Sequence, residues 1–383
     1  MRILLVPTSY PDEQNTTRNV FIYEQAVALS NAGHDIRILH PQKLPSKRVL
    51  SRINYEIKTH YDGYAIRFSR PVKTFMEKRI VAFNKNLFIN TIYDLYDCAT
   101  LDGWKPDVIY AHFSCWAGFA AVELGKKNSI PVVVMEHFSG YMNEKSLSPK
   151  LIDGLEYVAK NADAFICVSN KLREKVIQLT NIKNTIHVIP NMIDSRFKYS
   201  RHGLNDKFVF VSVCILTARK RVKELVKAFC KAYDENDDVE LIIGGDGPER
   251  EKIAAIIKEN KRESQISMVG RLDRDGTVDL YKKADCFALV SAHETFGIVW
   301  REAMATGLPI ITSNHEGWSS DDWSDDFGIM VPVDDENSLI NALKDIKNNY
   351  DSYDGNKISS YCLEHYSDKT VVKQIEKVLE SVC

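Results

Sequence analysis

The chain has 383 residues, 44% of them apolar and 27% charged, with a formal net charge of −2. That is a globular composition with apolar surface for two cores, and it excludes a dedicated nucleic-acid binder because no basic run is interleaved with aromatics. No apolar run approaches the ~20 residues of a membrane helix, and the start, MRILLVP, reads as a short strand and not as a leader.

Eight cysteines, at 98, 115, 167, 214, 230, 286, 362 and 383, include no C-x-x-C pair. They read as free thiols of a reducing compartment, and neither they nor the ten histidines cluster as zinc ligands. Charge is unevenly spread: eleven Lys/Arg face three Asp/Glu over residues 43–85 (+8), and two face eleven over 316–354 (−9).

The first half alternates strands and helices, the pattern of a parallel, doubly wound sheet. Strands are expected at 3–6, 34–39, 107–111, 131–135, 164–168 and 186–189, with helices at 20–31, 116–127, 151–160 and 171–180. The polar loop 7–19 is long for a strand-to-helix connection and suits a lid or an acceptor-facing role. No G-x-G-x-x-G follows the first strand, which argues against a nicotinamide or flavin dinucleotide. Glu136 and His137 end the 131–135 strand, and His112 ends the one before it. A histidine there is either a satisfied structural group or a ligand contact. Residues 75–87 carry Met76, Ile80, Phe83 and Leu87 at helical spacing among Lys78, Arg79 and Lys85. This stripe is either core or a basic amphipathic face for an anionic membrane.

After VIPNMID, residues 188–194, a second alternating series has strands at 208–213, 239–243, 265–269, 286–290, 310–312 and 329–331. A basic stretch with Arg219, Lys220 and Arg221 follows the first of these. GGDGPE, residues 244–249, is a strand-to-helix turn with Pro248 suited to the first helical position. The segment ADCFALVSAHETFGIVWREAMATGLPIITS, residues 284–313, is strand, loop, helix and strand, with Gly307 placed for a left-handed helix end and Pro309 barring continuation. The final helix, 369–382, carries Val371, Val372, Ile375, Val378 and Leu379 on one side.

Glu294 falls in the loop at the carboxyl end of a parallel strand, where open α/β sheets bind ligands, and Glu302 about a turn and a half into the helix. Between them lie the free amides of a helix start, which attract an anion such as a diphosphate. Each carboxylate can accept from a pair of vicinal hydroxyls. The alternative is that Glu294 only complements the helix dipole and Glu302 faces solvent.

E-T-F-G-I-V-W-R-E-A-M-A-T-G-L-P resembles the motif of the retaining glycosyltransferases of family 4, E-x-F-G-x-x-x-x-E-A-M-A-x-G-x-P. The resemblance implies an α/β, GT-B fold, with two Rossmann-like doubly wound parallel-sheet domains facing across a cleft. The acceptor-side domain would span 1–195 with helix 366–383 crossing back, the nucleotide-sugar domain 200–365, and the hinge 190–200. It gives Glu294 and His137 to the transferred sugar as catalytic residues, and Glu302 to the ribose. Thr295, Phe296, Gly297 and Ile298 belong to the donor-binding turn, and the backbone near Leu272 to the base. Lys220 takes the position of the diphosphate lysine, but Cys214 and Ile215 stand where the family has Gly and Arg, leaving Arg219 or Arg221 to supply that charge. Asn19 and Met192 replace family glycines, so the resemblance does not extend to a tight phosphate approach at Asn19, and the turn at Met192 needs no positive φ.

The implied activity moves a hexose-type sugar from a UDP- or GDP-sugar to a hydroxyl of a glycan or lipid-linked acceptor, in polysaccharide or glycoconjugate biosynthesis. It uses no metal and no cofactor, binds no nucleic acid, and places the chain in the cytoplasm with peripheral contact at the inner membrane face. Two other classes share such sheets: a nucleotide-sugar epimerase or hydrolase, and a non-catalytic nucleotide-sugar-binding protein. An epimerase calls for a separate acid/base cluster, which the sequence does not show.

Overall fold

The apolar runs fold as two parallel sheets with helices on both faces. The computed structural model describes all residues except 13–17, 44–55, 73–80, 144–146, 183–184, 201–205, 316 and 319–321. The chain forms two units, Met1–Pro190 with Asp368–Cys383, and Asn191–Ser367.

In the first unit, β1 (Arg2–Pro7), β2 (Asp35–Lys43), β4 (Ile66–Val72), β5 (Val108–His112), β6 (Val132–Glu136), β7 (Ala164–Cys167) and β8 (Ile186–Val188) pair in parallel, and β3 (Lys58–Tyr61) pairs antiparallel to β4 at the edge. The order β3-β4-β2-β1-β5-β6-β7-β8 reverses direction between β1 and β5. Strands such as VVVME are buried at every position, as expected where helices cover both faces. The helices are α1 (Val20–Asn31), α2 (Val81–Ala99), α3 (Phe119–Asn128), α4 (Pro149–Asn161) and α5 (Asn170–Thr180), and α12 (Asp368–Val382) joins them from the chain end. Ser148 and Ser169 cap α4 and α5 by accepting from the amides of Leu151 and Leu172. Val371, Val372, Ile375, Val378 and Leu379 of α12 are all buried, and Glu376 meets the His34 ring at 2.9 Å.

The second unit holds β9 (Phe208–Val213), β10 (Val239–Gly244), β11 (Ile266–Gly270), β12 (Cys286–Leu289), β13 (Ile310–Ser313) and β14 (Gly328–Val331), all parallel, in the order β11-β10-β9-β12-β13-β14. Its helices are α6 (Val222–Ala232), α7 (Arg250–Glu259), α8 (Arg274–Lys282), α9 (Ile298–Ala305), α10 (Glu336–Asn348) and α11 (Gly355–Tyr366). Here the reversal falls between β9 and β12, so the loops leaving those two strands flank the switch point where such sheets bind ligands.

Several spans depart from the sequence reading. β3, β4 and α2 fill a stretch read mainly for its charge, because short strands such as KTHY carry too few apolar residues to show period-2 patterning. The helix expected at 116–127 begins at Phe119, and the preceding residues 114–118 form a distorted turn in which Trp116 has φ 67°, ψ −69°. Pro248 lies in the turn, and α7 starts at Arg250, since Gly245 and Gly247 first pack their backbones on Cys214 and Leu216. The passage between units comes at Asn191, earlier than the 195 read from sequence: the Ile193 amide donates to Tyr366 O at 2.8 Å, which ties it to the second unit.

Of the amphipathic stretch 75–87, Met76, Lys78, Arg79 and Ile80 lie outside the described residues. From Phe88 on, the apolar face of α2 is core, with Phe88, Ile92 and Leu95 all at 0% exposure. No described helix is long and apolar enough to cross a membrane.

Candidate active site

The second unit assembles most of the expected residues at its switch point. The loop after β9 and the loop after β12 are joined by the Ala292 amide donating to Arg219 O (2.8 Å) and by Arg219 Nη1 donating to His293 O (2.9 Å). Lys220 Nζ donates to Glu294 Oε1 at 2.7 Å, and Arg219 lies 3.3 Å from the same oxygen. Burial alone would raise the Glu294 carboxyl, but Lys220 and Arg219 outweigh it and hold its pKa below the usual value. Glu294 is therefore a buried, ionised acceptor. The open choice between the two arginines resolves in space: Arg219 faces Glu294, whereas Arg221 turns through a left-handed backbone (φ 55°) to pair with Asp334. Ile215, at the position of the family arginine, is 68% exposed.

Gly297 follows with φ 75°, and a Cβ there would lie 2.4 Å from the Trp300 ring, so glycine is needed for both conformation and space. Whereas Ser148, Asp273 and Asp335 cap other helices, α9 has no side-chain cap and no acidic residue in its first turn. Uncapped helix starts of this kind attract anions. Thr295 is buried, Ile298 half-buried, and Phe296 is turned inward against Tyr366 (ring centroids 5.4 Å), so Phe296 offers the site its backbone and not its ring. Gly307 ends the helix region left-handed, φ 94°, as expected.

Glu302, 1% exposed, bonds Nη1 of Arg274 in the first turn of α8. Burial raises its pKa, and the Arg274 charge only partly offsets that. Leu272 lies two residues before Arg274, in the loop after β11, with its side chain over Gly244. Neither Arg274 nor Arg301 nor His315 was singled out from sequence. Arg274 and His315 carry no motif, but an arginine beside the motif glutamate Glu302, with every other position of IVWREAMA apolar, was a visible signal.

In the first unit, His112 ends β5 and His137 follows the last residue of β6, with His112 Nδ1 3.1 Å from His137 Nε2 and the rings stacked at 21°. His112, named with His137 from the sequence, is thus its direct neighbour. Burial first, and His137 second, push the His112 pKa well down, so it is neutral. Phe21 and Phe113 pack on His137 at 4.9 and 5.1 Å. Glu136 accepts from the amides of Ser114, His137 and Phe138, each at 2.8 Å, and from the Ser114 hydroxyl. It is a brace joining the two loops, with its pKa raised by burial despite those bonds. Asn19, in place of a family glycine, adopts the glycine's left-handed conformation (φ 47°) and donates to Ser9 Oγ at 2.8 Å. Met192 is not among the residues of positive φ.

Residues 194–361 match the family described as glycosyl transferases group 1, and residues 19–197 match glycosyltransferase family 4. Over 247 residues the chain is 26% identical to N-acetyl-alpha-D-glucosaminyl L-malate synthase of Bacillus anthracis, a match that spans 61% of this chain and 64% of that one. Among solved structures, sucrose-phosphate synthase of Thermosynechococcus elongatus superposes with a TM-score of 0.82 at 17% identity, covering 100% of this chain and 99% of that one. Anabaena HepE in complex with UDP superposes with a TM-score of 0.76, also at 17% identity, covering 100% of both chains.

Proposed function

This chain belongs to the glycosyl transferases group 1 and has the GT-B fold; from that premise we propose that it is a retaining hexosyltransferase using a nucleoside-diphosphate sugar. The acceptor is a hydroxyl of a glycan or lipid-linked molecule. The observation that carries the reading is the charge balance of the second unit. Four cations, Arg219, Lys220, Arg274 and Arg301, stand with two carboxylates, Glu294 and Glu302, around the uncapped start of α9. Nearby, Arg196 pairs with Asp194 at 2.6 Å and with the exposed Asp275 at 3.1 Å, which leaves one positive charge in surplus. The surplus of positive charge suits a diphosphate, and the two carboxylates suit hydroxyls on either side of it. UDP bound to HepE is in keeping with such a ligand.

In this reading Glu302 accepts from the ribose hydroxyls and Glu294 from the sugar. The amides of Gly297 and Ile298, with Lys220 and Arg219, take the diphosphate, and the backbone near Thr295 and Leu272 completes the donor site. The bond between the anomeric carbon and the diphosphate oxygen breaks with its electron pair leaving on the diphosphate. The acceptor oxygen bonds that carbon on the same face, and its proton passes to the departing diphosphate. Stabilising that leaving group is the main electrostatic task, and Lys220, Arg219 and the helix start meet it without a metal.

The test is to incubate the protein with a panel of UDP- and GDP-sugars and a cell extract, follow nucleoside diphosphate release, and determine the anomeric configuration of the product. Release with retained configuration supports the reading; an inverted product, or no release with any donor, counts against it. Cytoplasmic placement with peripheral contact to an anionic membrane belongs to the same proposal and rests on the basic stretch around Lys78 and Arg79. Lys85 itself lies over the Phe119 ring, 3.0 Å from its centroid. Flotation with anionic vesicles at low salt, lost in a Lys78, Arg79, Lys85 to Glu triple variant, is the expected result, and no flotation at low salt removes this part.

A further inference from the structure

Arg301 precedes Glu302 in α9 and is fully buried, at 0% exposure. Its Nη1 donates to Phe296 O and reaches Gly297 O at 3.4 Å, and its Nη2 donates to Gly317 O at 2.9 Å. The guanidinium carbon lies 3.8 Å from the Trp318 ring centroid and 4.3 Å from that of Phe296, so aromatic faces cover it on two sides. Its Nε is buried without a hydrogen-bond partner among the described residues. Among the described residues no carboxylate lies within ion-pair distance of it, because Glu294 is engaged by Lys220 and Arg219 and Glu302 by Arg274.

A buried cation without a counter-ion is costly to fold. Bridging three carbonyl oxygens does not require a full charge, since neutral donors make the same kind of bond. The nearby imidazole adds no second positive charge: His315 packs on Trp300 (4.8 Å), accepts from the Gly317 amide at 3.0 Å, and is kept neutral by burial, with its pKa lowered to about 3. Two of the three carbonyls around the guanidinium, those of Phe296 and Gly297, belong to the turn itself, Gly297 being the left-handed residue from which the uncapped helix starts. A fixed charge in a low-dielectric setting acts on a nearby anion more strongly than the same charge in water.

We infer that Arg301 is a positioning residue that holds the Phe296–Gly297 turn and keeps a standing positive charge behind it, so that ligands are selected by their phosphate charge. It acts on the diphosphate through that turn and does not touch it. This inference rests on the donor reading above, and its test separates the two.

Uridine, UMP and UDP, or the guanosine series if the wild type prefers it, are titrated into the full chain and into Arg301→Met and Arg301→Lys. The wild type is expected to prefer the diphosphate strongly over the nucleoside. Arg301→Met should shrink that preference about tenfold with little change for the nucleoside, and Arg301→Lys should restore it to within about threefold. Equal losses for nucleoside and diphosphate would reduce Arg301 to packing and overturn the inference, as would an unchanged preference in Arg301→Met. If the wild type itself showed no preference for the diphosphate, the donor reading would fall and this inference with it. A pair that leaves Arg301 in place guards against misfolding: Trp318→Gln and Trp318→Glu remove the same ring and differ by one negative charge offered to the guanidinium. The Glu variant should lose a further tenfold or so of diphosphate preference relative to Gln, and equal preferences in the two would also overturn it.

Discussion

Replacing Glu302 by Gln, alone and together with Arg274→Met, should separate stability from nucleotide binding. Glu302 is 1% exposed and paired with Arg274, whose side chain keeps 17% exposure. Removing one member of a buried pair costs about 3–5 kcal/mol, and the lower end applies because Arg274 can still reach water. Replacing both members removes the stranded charge and leaves only a buried amide without its arginine partner, worth about 1–3 kcal/mol, so the double variant should be more stable than Glu302→Gln alone. Nucleotide affinity should not return with it. Gln keeps one acceptor oxygen, so about one charged hydrogen bond to the ribose is lost, about 1.5–3 kcal/mol, or roughly 10- to 150-fold in affinity. Urea unfolding gives the first quantity and calorimetric titration of nucleoside diphosphate the second. Recovery of affinity in the double variant, or full affinity in Glu302→Gln, would refute the ribose assignment.

Glu294→Ala should lower turnover far more than donor affinity, because contacts to the sugar change at the transition state while the ribose grip persists; steady-state kinetics with an equal fall in both would count against a catalytic role. His315 has a folded pKa of about 3 against about 6.5 unfolded, so its stability contribution is complete above pH 6.5 and is lost as pH falls from there toward 3. Between pH 7 and 5 that loss is roughly 2 kcal/mol, and His315→Phe should unfold with a correspondingly flatter pH profile in urea. Asn19→Ala should cost about 1 kcal/mol by removing the short polar side chain that makes a left-handed site tolerable and that donates to Ser9 Oγ, whereas Asn19→Gly, which has no β-carbon to crowd that conformation, should be close to neutral in thermal melts.

How much of this was legible beforehand depends on the physics behind each signal. Buried parallel strands such as β9 and β12 announce themselves as short apolar runs, and Gly307 followed by Pro309 marks a helix end, so their positions came out nearly unchanged. The Glu294 and Glu302 pair was visible because its spacing is local. The partners were not: Arg274 reaches Glu302 only because β11 and β12 belong to one sheet, and sheet order is a long-range property. Arg219 and Arg221 could not be ranked from spacing, since a single left-handed residue at 221 sends the second side chain away to Asp334. The brace at Glu136 was hidden for the same reason, its donors lying on two loops brought together by β5 and β6.

The most direct test of the donor site varies the ligand and leaves the protein intact. Calorimetric titration of the wild type with UDP and GDP, and with their 2′,3′-dideoxy counterparts, asks whether the site recognises a diphosphate and a ribose diol together. The account predicts saturable binding of at least one nucleoside diphosphate at one site per chain, weakened at least tenfold or so when the diol is removed. Binding that is indifferent to the diol, or no binding of either diphosphate, would contradict it.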